Sequence, residues 1–482
     1  MVSRREFCAA LSAAVVMRGG SAPVARQKPN IVYVLCDDLG IGDLACYNPY
    51  SMVAMPNANR LASEGMRFDD MHSSSAVCTP SRYSILTGRY CWRSRLKSGV
   101  LDGESPNLIE EGRLTVPGML KQQGYYTAGV GKWHLGLGND PKTDYSKPLH
   151  PSPVDHGFDY YFGIPSSLDF PPYLFFENDR VVEAPTATTE GSKAARGVFW
   201  RAGKIAPSFK MEECLPTITE KAVSIVGERG KKKEQPFFLY VPLPSPHTPW
   251  VPLEKYKGKS GAGTYGDYVM EVDDMLGRIM TAVKEAGLED NTIFIFTSDN
   301  GSDWKPEDID RWGHRANAEW RGEKADIWEA GHRIPFVVRW PSKIQANSVS
   351  DQRLSLTDLM ATAAAITGAT LLRNAAEDSF NMLPALLGTA KTPIRPSIID
   401  HSIDGMFCIT EGDWKLEEGL GSGGFSSPKR VEPGPNGPSG QLYNLAKDPH
   451  EQHNLYLQQP QIVAHLHALL QKEKETGYTR TM

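Results

Sequence analysis

The sequence predicts an α/β protein. A large, mostly parallel or mixed sheet is sandwiched by helices, and a small C-terminal α+β unit carries an antiparallel sheet. Three observations predict it. Continuous apolar runs, of the kind buried on both faces of a sheet, recur at residues 31–36, 237–241, 293–296 and 334–338. Helical spacing fills the chain between two of them, where Val269, Val272, Leu276, Ile279, Met280 and Val283 share one face. From about residue 390 the texture changes to short strands around a Gly/Pro/Ser-rich stretch.

In chain order, residues 31–36 form the first buried strand. Residues 80–86 read as a short helix that starts at Pro80 and stops near Gly88. That places residue 78 at a helix N-terminus, where free N–H groups and the dipole favour an anion. Residues 160–210 carry many aromatics and prolines with little periodicity, and are expected to be long surface loops shaping a pocket. Gly287 closes the helix that precedes the strand at 293–296. Near the C-terminus, strands are expected at 398–401, 407–410 and 414–417, with Glu411-Gly412-Asp413 turning between the last two. A loop at 419–440, the segment Leu442-Tyr443-Asn444-Leu445 and an amphipathic helix over 460–474 complete the chain. The expected division is an export signal at 1–25, a catalytic domain at 26–390 and a small domain at 391–482.

A length of 482 residues suits one large domain with a small one. A net charge of −5, with no basic run, argues against nucleic acid as a partner. At the N-terminus Arg4-Arg5-Glu6-Phe7 precedes an apolar run at 8–17 and then small residues. That run is too short to span a bilayer and reads as an export signal, so a periplasmic or secreted location is expected. The paired arginines fit the twin-arginine type, with a general secretory signal as the alternative. No later segment is long and apolar enough for a membrane span. Seven cysteines, without paired spacing, do not make a disulfide framework.

Asp37-Asp38 follows the first strand, and Asp299-Asn300 follows the strand at 293–296. Ligands of open α/β sheets bind outside the carboxyl ends of the strands, so both pairs are expected to face one crevice. Three carboxylates and an amide are hard oxygen donors, suited to Ca²⁺, with Mg²⁺ as the alternative. Either pair alone would more simply cap a helix or shape a turn.

The segment Cys78-Thr79-Pro80-Ser81-Arg82, running into Leu86-Thr87-Gly88-Arg89, resembles the signature of the type I sulfatases. Gly124 to Gly136, built around Gly131-Lys132-Trp133-His134-Leu135-Gly136, resembles that family's second signature. Ser245-Pro246-His247-Thr248-Pro249 and Arg321-Gly322-Glu323-Lys324 resemble its later segments, as do Gly412-Asp413-Trp414-Lys415-Leu416 and residues 442–445. One departure stands out: Glu329-Ala330-Gly331 replaces the family's usual E-G-G.

The resemblance implies an alkaline phosphatase-like fold and hydrolysis of sulfate monoesters. It implies that a formylglycine-generating enzyme oxidises Cys78 to formylglycine, and that Asp37, Asp38, Cys78, Asp299 and Asn300 hold the cation. It further implies that Arg82 balances the carboxylates, Lys132 and Lys324 clamp the developing negative charge, His247, with Lys324 as the alternative, protonates the leaving oxygen and His134 helps expel sulfate. Substrates would be sulfated carbohydrates or aryl sulfates. Residues 161–177 resemble enzymes acting on galactose or N-acetylgalactosamine sulfates. The alternatives are a phosphonate monoester or phosphodiester hydrolase of the same superfamily, and a non-catalytic carbohydrate-binding relative. Trp133, His314 and His401 are further substrate-contact candidates, each with a structural role as the simpler reading.

Overall fold

A computed structural model describes residues 28–480. The expected export signal lies outside the described residues. A ten-stranded mixed sheet runs in the order Ser348–Ser350, Met66–Phe68, Phe336–Arg339, Thr292–Ser298, Asn30–Asp37, Phe237–Pro246, Tyr126–Lys132, Tyr160–Ile164, Phe176–Glu177 and Arg180–Val181. The five strands from Thr292–Ser298 to Tyr160–Ile164 are mutually parallel. Every residue of Asn30–Asp37 is buried, as its unbroken apolar run demands of a central strand covered on both faces.

Helices Pro56–Glu64, Cys214–Gly230 and Gly263–Glu285 pack on one another and on the sheet. Cys78–Thr87, Val116–Gln122 and Leu359–Thr367 form the second group. The six apolar positions picked out by helical spacing in Gly263–Glu285 are all buried. Among the described residues, no helix is long and apolar enough to cross a membrane. The described cysteines are free thiols.

Two expectations need correction. Residues 160–210 are not simply loops. Tyr160–Ile164 extends the main sheet, and two antiparallel ribbons follow: Ser192–Ala195 with Val198–Trp200, and Ala187–Thr189 with Gly203–Ile205. Most of these ribbon residues are partly exposed, so no apolar alternation marked them. The strand expected at 237–241 runs on through three prolines to Pro246. Those prolines disguised it, because Pro lacks a ladder donor and normally argues against a central strand.

The C-terminal sheet is four-stranded and antiparallel: Ser397–His401, Phe407–Glu411, Trp414–Glu417 and Gln441–Asn444. Helix Pro460–Thr476 lays Leu466 and Leu470 against Ile399, Ile409, Leu416 and Leu442. This sheet is stitched to the larger one by backbone. The Ala76 N–H donates to the His401 carbonyl, Ile403 to Ala325, and Ile327 to Ser422.

Candidate active site

Four adjacent parallel strands deliver their carboxyl ends to one place. Asp37 is the last residue of Asn30–Asp37 and Lys132 the last of Tyr126–Lys132. Asp299 follows Thr292–Ser298, and His247 follows Phe237–Pro246. The register aligns Cys36 with Ser298 and Asp37 with Pro246, so these ends are level. Asp38 has φ 66°, a left-handed turn that Asp tolerates better than most residues and that redirects the chain out of the strand.

Cys78 is the first residue of helix Cys78–Thr87, whose ten residues are all buried. The helix begins two residues earlier than Pro80 suggested, so residue 78 is in its first turn. Gly88, at φ 63°, ends it. Arg82, four residues on, lies on the same face as Cys78. Its Nη2 is 2.7 Å from Asp299 Oδ2 and 3.6 Å from Asp37 Oδ1, and its Nη1 donates to the Lys132 carbonyl at 3.1 Å.

The two lysines close the ring. Lys132 Nζ donates to Asp37 Oδ2 at 2.6 Å, and Lys324 Nζ donates to Asp38 Oδ2 at 2.8 Å. Asn300 Nδ2 donates to Asp38 Oδ1 at 2.7 Å. His247 Nε2 is 3.7 Å from Asp38 Oδ2, while its Nδ1 donates to the Thr248 carbonyl at 2.6 Å. Donor atoms of Asp37, Asp38, Cys78 and His247 all lie within 4.8 Å of one another.

Charge in this dry pocket is unevenly held. Burial pushes the Asp37 carboxyl up, but Lys132, His247, Arg82 and Lys324 together hold it well below the usual carboxylate range. Burial and the neighbouring Asp37 push Asp299 up to about 6, against Arg82. Burial pushes the Cys78 thiol up to about 12 despite both lysines, so at neutral pH the group is a thiol and a poor nucleophile. A cation fits the donor set: Asp37 Oδ1 and Asn300 Oδ1 are buried oxygens without a hydrogen-bond donor, and Asp38 and Asp299 bring further hard carboxylate oxygens, with Cys78 and His247 the softer neighbours.

His134 is set differently. The strand ends at Lys132 and His134 has φ 56°, so the two side chains do not share an extended segment. His134 Nε2 donates to the Leu101 carbonyl at 2.7 Å, which fixes Nδ1 as a bare lone pair; Nδ1 has no protein partner. Burial, Lys132 and Arg82 hold its pKa well below the ordinary histidine value. The result is a neutral base.

Trp133 and His314 are satisfied interior groups. Trp133 Nε1 donates to the Gly136 carbonyl, and His314 Nε2 pairs with Asp43 Oδ1 at 2.7 Å. His401 is buried in the C-terminal sheet with Nδ1 on the Ser402 carbonyl. Sequence reasoning missed Asp43. Its carboxylate takes the Gly40 N–H, the Tyr265 hydroxyl and His314, and Tyr265 in turn takes the Ser302 hydroxyl proton. Asp43 thereby ties the loop after Asp38 to the loop after Asn300. The signal was a third acid in the same short loop. Also missed were Asp169 with Arg201 (2.6 Å) and Arg196 with Asp303 (3.2 Å). Arg201 lies over the Phe170 ring at 3.8 Å and Arg196 over Trp250 at 4.9 Å. The Glu329-Ala330-Gly331 departure is absorbed locally: Ala330 is buried in a short helix, and Lys324 still reaches Asp38.

Known proteins resemble this chain over most of its length. The profile of the sulfatase family matches residues 29–369. The chain is 37% identical to an N-acetylgalactosamine-6-O-sulfatase of Bacteroides thetaiotaomicron, covering 93% of each chain. It is 33% identical to human arylsulfatase A over 90% of this chain and 84% of that one. A solved structure from work on glycosaminoglycan metabolism by Bacteroides thetaiotaomicron superposes with a TM-score of 0.83 at 36% identity, covering 93% of this chain and all of the other.

Proposed function

The chain belongs to the sulfatase family and hydrolyses sulfate esters, and we propose that its substrate is a sulfated amino sugar of the glycosaminoglycan type. The convergence of Asp37, Asp38, Cys78 and His247 within 4.8 Å carries the site assignment. The substrate class rests on the 37% identity, across nearly the whole of both chains, to a protein named for N-acetylgalactosamine 6-sulfate. We further propose maturation by a formylglycine-generating enzyme and export by the N-terminal signal, with the small domain starting near residue 391.

Converted to formylglycine, position 78 supplies a hydrated aldehyde oxygen as nucleophile, and a divalent cation held by Asp37, Asp38, Asp299 and Asn300 supplies positive charge beside it. The chain's own groups do the rest. Lys132 and Lys324 flank the reacting position and counter the negative charge of the sulfate oxygens. Arg82 neutralises Asp37 and Asp299 and fixes the helix that presents residue 78. His247 donates its Nδ1–H to the Thr248 carbonyl, which leaves Nε2 facing the site, where it is placed to pass a proton to the leaving oxygen. His134, with its bare Nδ1, accepts a proton when sulfate leaves.

Initial rates on a panel of defined sulfated sugars, an aryl sulfate and an aryl phosphonate test this reading. A 6-sulfated galactosamine is expected to outpace the aryl sulfate and the phosphonate by at least about tenfold in kcat/KM. A preference for the phosphonate overturns it.

A further inference from the structure

A second cluster of metal-type ligands lies between the C-terminal sheet, the short strand Met71–His72 and the short helix Glu329–His332, sharing no residue with the active site. Asp400 and Cys408 are direct cross-strand partners in the C-terminal sheet, so their side chains leave the same face. His332 ends the short helix Glu329–His332, and His72 sits in the strand Met71–His72. All four are buried.

The outer hydrogen bonds constrain the tautomers. His72 Nε2 is 2.8 Å from Asp70 Oδ1, a carboxylate paired with Arg333 and Arg353, so Nε2 carries the hydrogen and Nδ1 the lone pair. His332 Nε2 faces the Ile327 carbonyl at 3.0 Å and Lys415 Nζ at 3.2 Å. The three ammonium protons of Lys415 already have acceptors in Glu451, Glu329 and the Ile327 carbonyl. With the hydrogen of His332 on Nε2, facing the Ile327 carbonyl, its Nδ1 is also a lone pair, and the two Nδ1 atoms stand 2.9 Å apart with no hydrogen between them until a cation enters. With the hydrogen on Nδ1 and Lys415 donating to Nε2, they share an ordinary N–H···N bond. Asp400 Oδ2 is 3.6 Å from His332 Nδ1, and both Asp400 oxygens are buried without a hydrogen-bond donor. The donor atoms of His332, Asp400 and Cys408 lie within 4.8 Å of one another.

We propose that His332, Asp400 and Cys408, whose donor atoms already lie together, hold a structural zinc ion that ties the C-terminal sheet to the short helix Glu329–His332, with His72, now grouped with His332 and Glu329, moving in as the fourth ligand. Each histidine donates its outer N–H to a carboxylate or a carbonyl, the usual support of a metal-bound imidazole. Tetrahedral zinc with bonds of about 2.0–2.1 Å to nitrogen would set the two nitrogens about 3.3 Å apart, a few tenths of an ångström from their present separation. Thiolate and imidazole select zinc over the hard cations that suit the active site. On binding, Cys408 and Asp400 release their protons to solvent, and no redox change is needed.

The test uses the full chain carrying Cys78→Ala, which removes the active-site thiol. Stoichiometric Co²⁺ is expected to produce a near-ultraviolet thiolate-to-cobalt absorption band. Zn²⁺ should abolish it and Ca²⁺ should not. The further change Cys408→Ser should remove the band, while Cys214→Ser should leave it. Should Cys408→Ser misfold, His72→Gln in the same background serves instead and should shift the band. Folded protein without the band, a band that survives Cys408→Ser, or one unmoved by His72→Gln overturns the proposal. The two histidines would then share a proton.

Discussion

At the scale of single residues, the informative fact is that Cys78 is badly placed to work as encoded. Its thiol is buried, pushed up to about 12, and crowded by Asp37 and Asp299. A thiolate enzyme would surround its cysteine with positive charge alone. Here the lysines are spent on Asp37 and Asp38. The proposed oxidation of position 78 would resolve this by replacing sulfur with oxygen. Serine retains one hydroxyl but no second one to expel sulfate, so Cys78→Ser is expected to show at most one turnover per chain. A rapid-quench assay with intact-protein mass spectrometry reads this. Steady multiple turnover by the serine variant speaks against the proposed chemistry. Site legibility divides along the same line. Asp37, Asp38, Asp299, Asn300, Cys78, Arg82, Lys132 and Lys324 fall in short contiguous motifs, and the fold brings them together. Asp43 and the Asp169–Arg201 pair stand in no motif, because their partners are distant in sequence.

At the scale of elements, helix Cys78–Thr87 shows how narrowly the site is positioned. It has no exposed face to mark it by amphipathicity, and it was legible only through Pro80 and Gly88. Gly88 is left-handed, and an added Cβ would sit 3.0 Å from Ala376 Cα and Met360 Cβ. Gly88→Ala is therefore expected to cost about 1–3 kcal/mol, from left-handed backbone and from crowding together. Chemical denaturation measures it, and a change below about 0.5 kcal/mol contradicts the packing described. The strand Phe237–Pro246 makes the opposite point. Its first half was legible as an apolar run, but its prolines hid the half that carries the chain to His247. Short ribbons between 187 and 205 gave no signal, since neither of their faces is fully buried.

For the whole molecule, the sheet's strand order creates the site, and the buried histidines contribute one part of its response to acid. The parallel order Thr292–Ser298, Asn30–Asp37, Phe237–Pro246, Tyr126–Lys132 is not readable from any one strand. Only the rule that ligands gather at carboxyl ends linked them in advance. His156 is held down at about 4 by burial, and His134 lower than usual by burial, Lys132 and Arg82. Both remain neutral in the fold while the unfolded chain protonates near about 6.5. A depressed folded pKa gives stability that is present above the unfolded value and lost as pH falls. Burial raises Asp299, Glu271 and Glu323, which act in the opposite sense, so the histidine contribution is read by difference. His156→Gln is expected to lose less stability than the parent chain between about pH 7.5 and 5 in urea denaturation, and an identical pH dependence in the two proteins contradicts this.

The account turns on the group at position 78. Its most direct measurement is the mass of the tryptic peptide spanning residues 68–82, taken from active enzyme made in a host that performs the modification. The peptide is expected about 18 Da lighter than encoded, the change from a cysteine side chain to an aldehyde. A fully active preparation whose peptide keeps the encoded mass contradicts it.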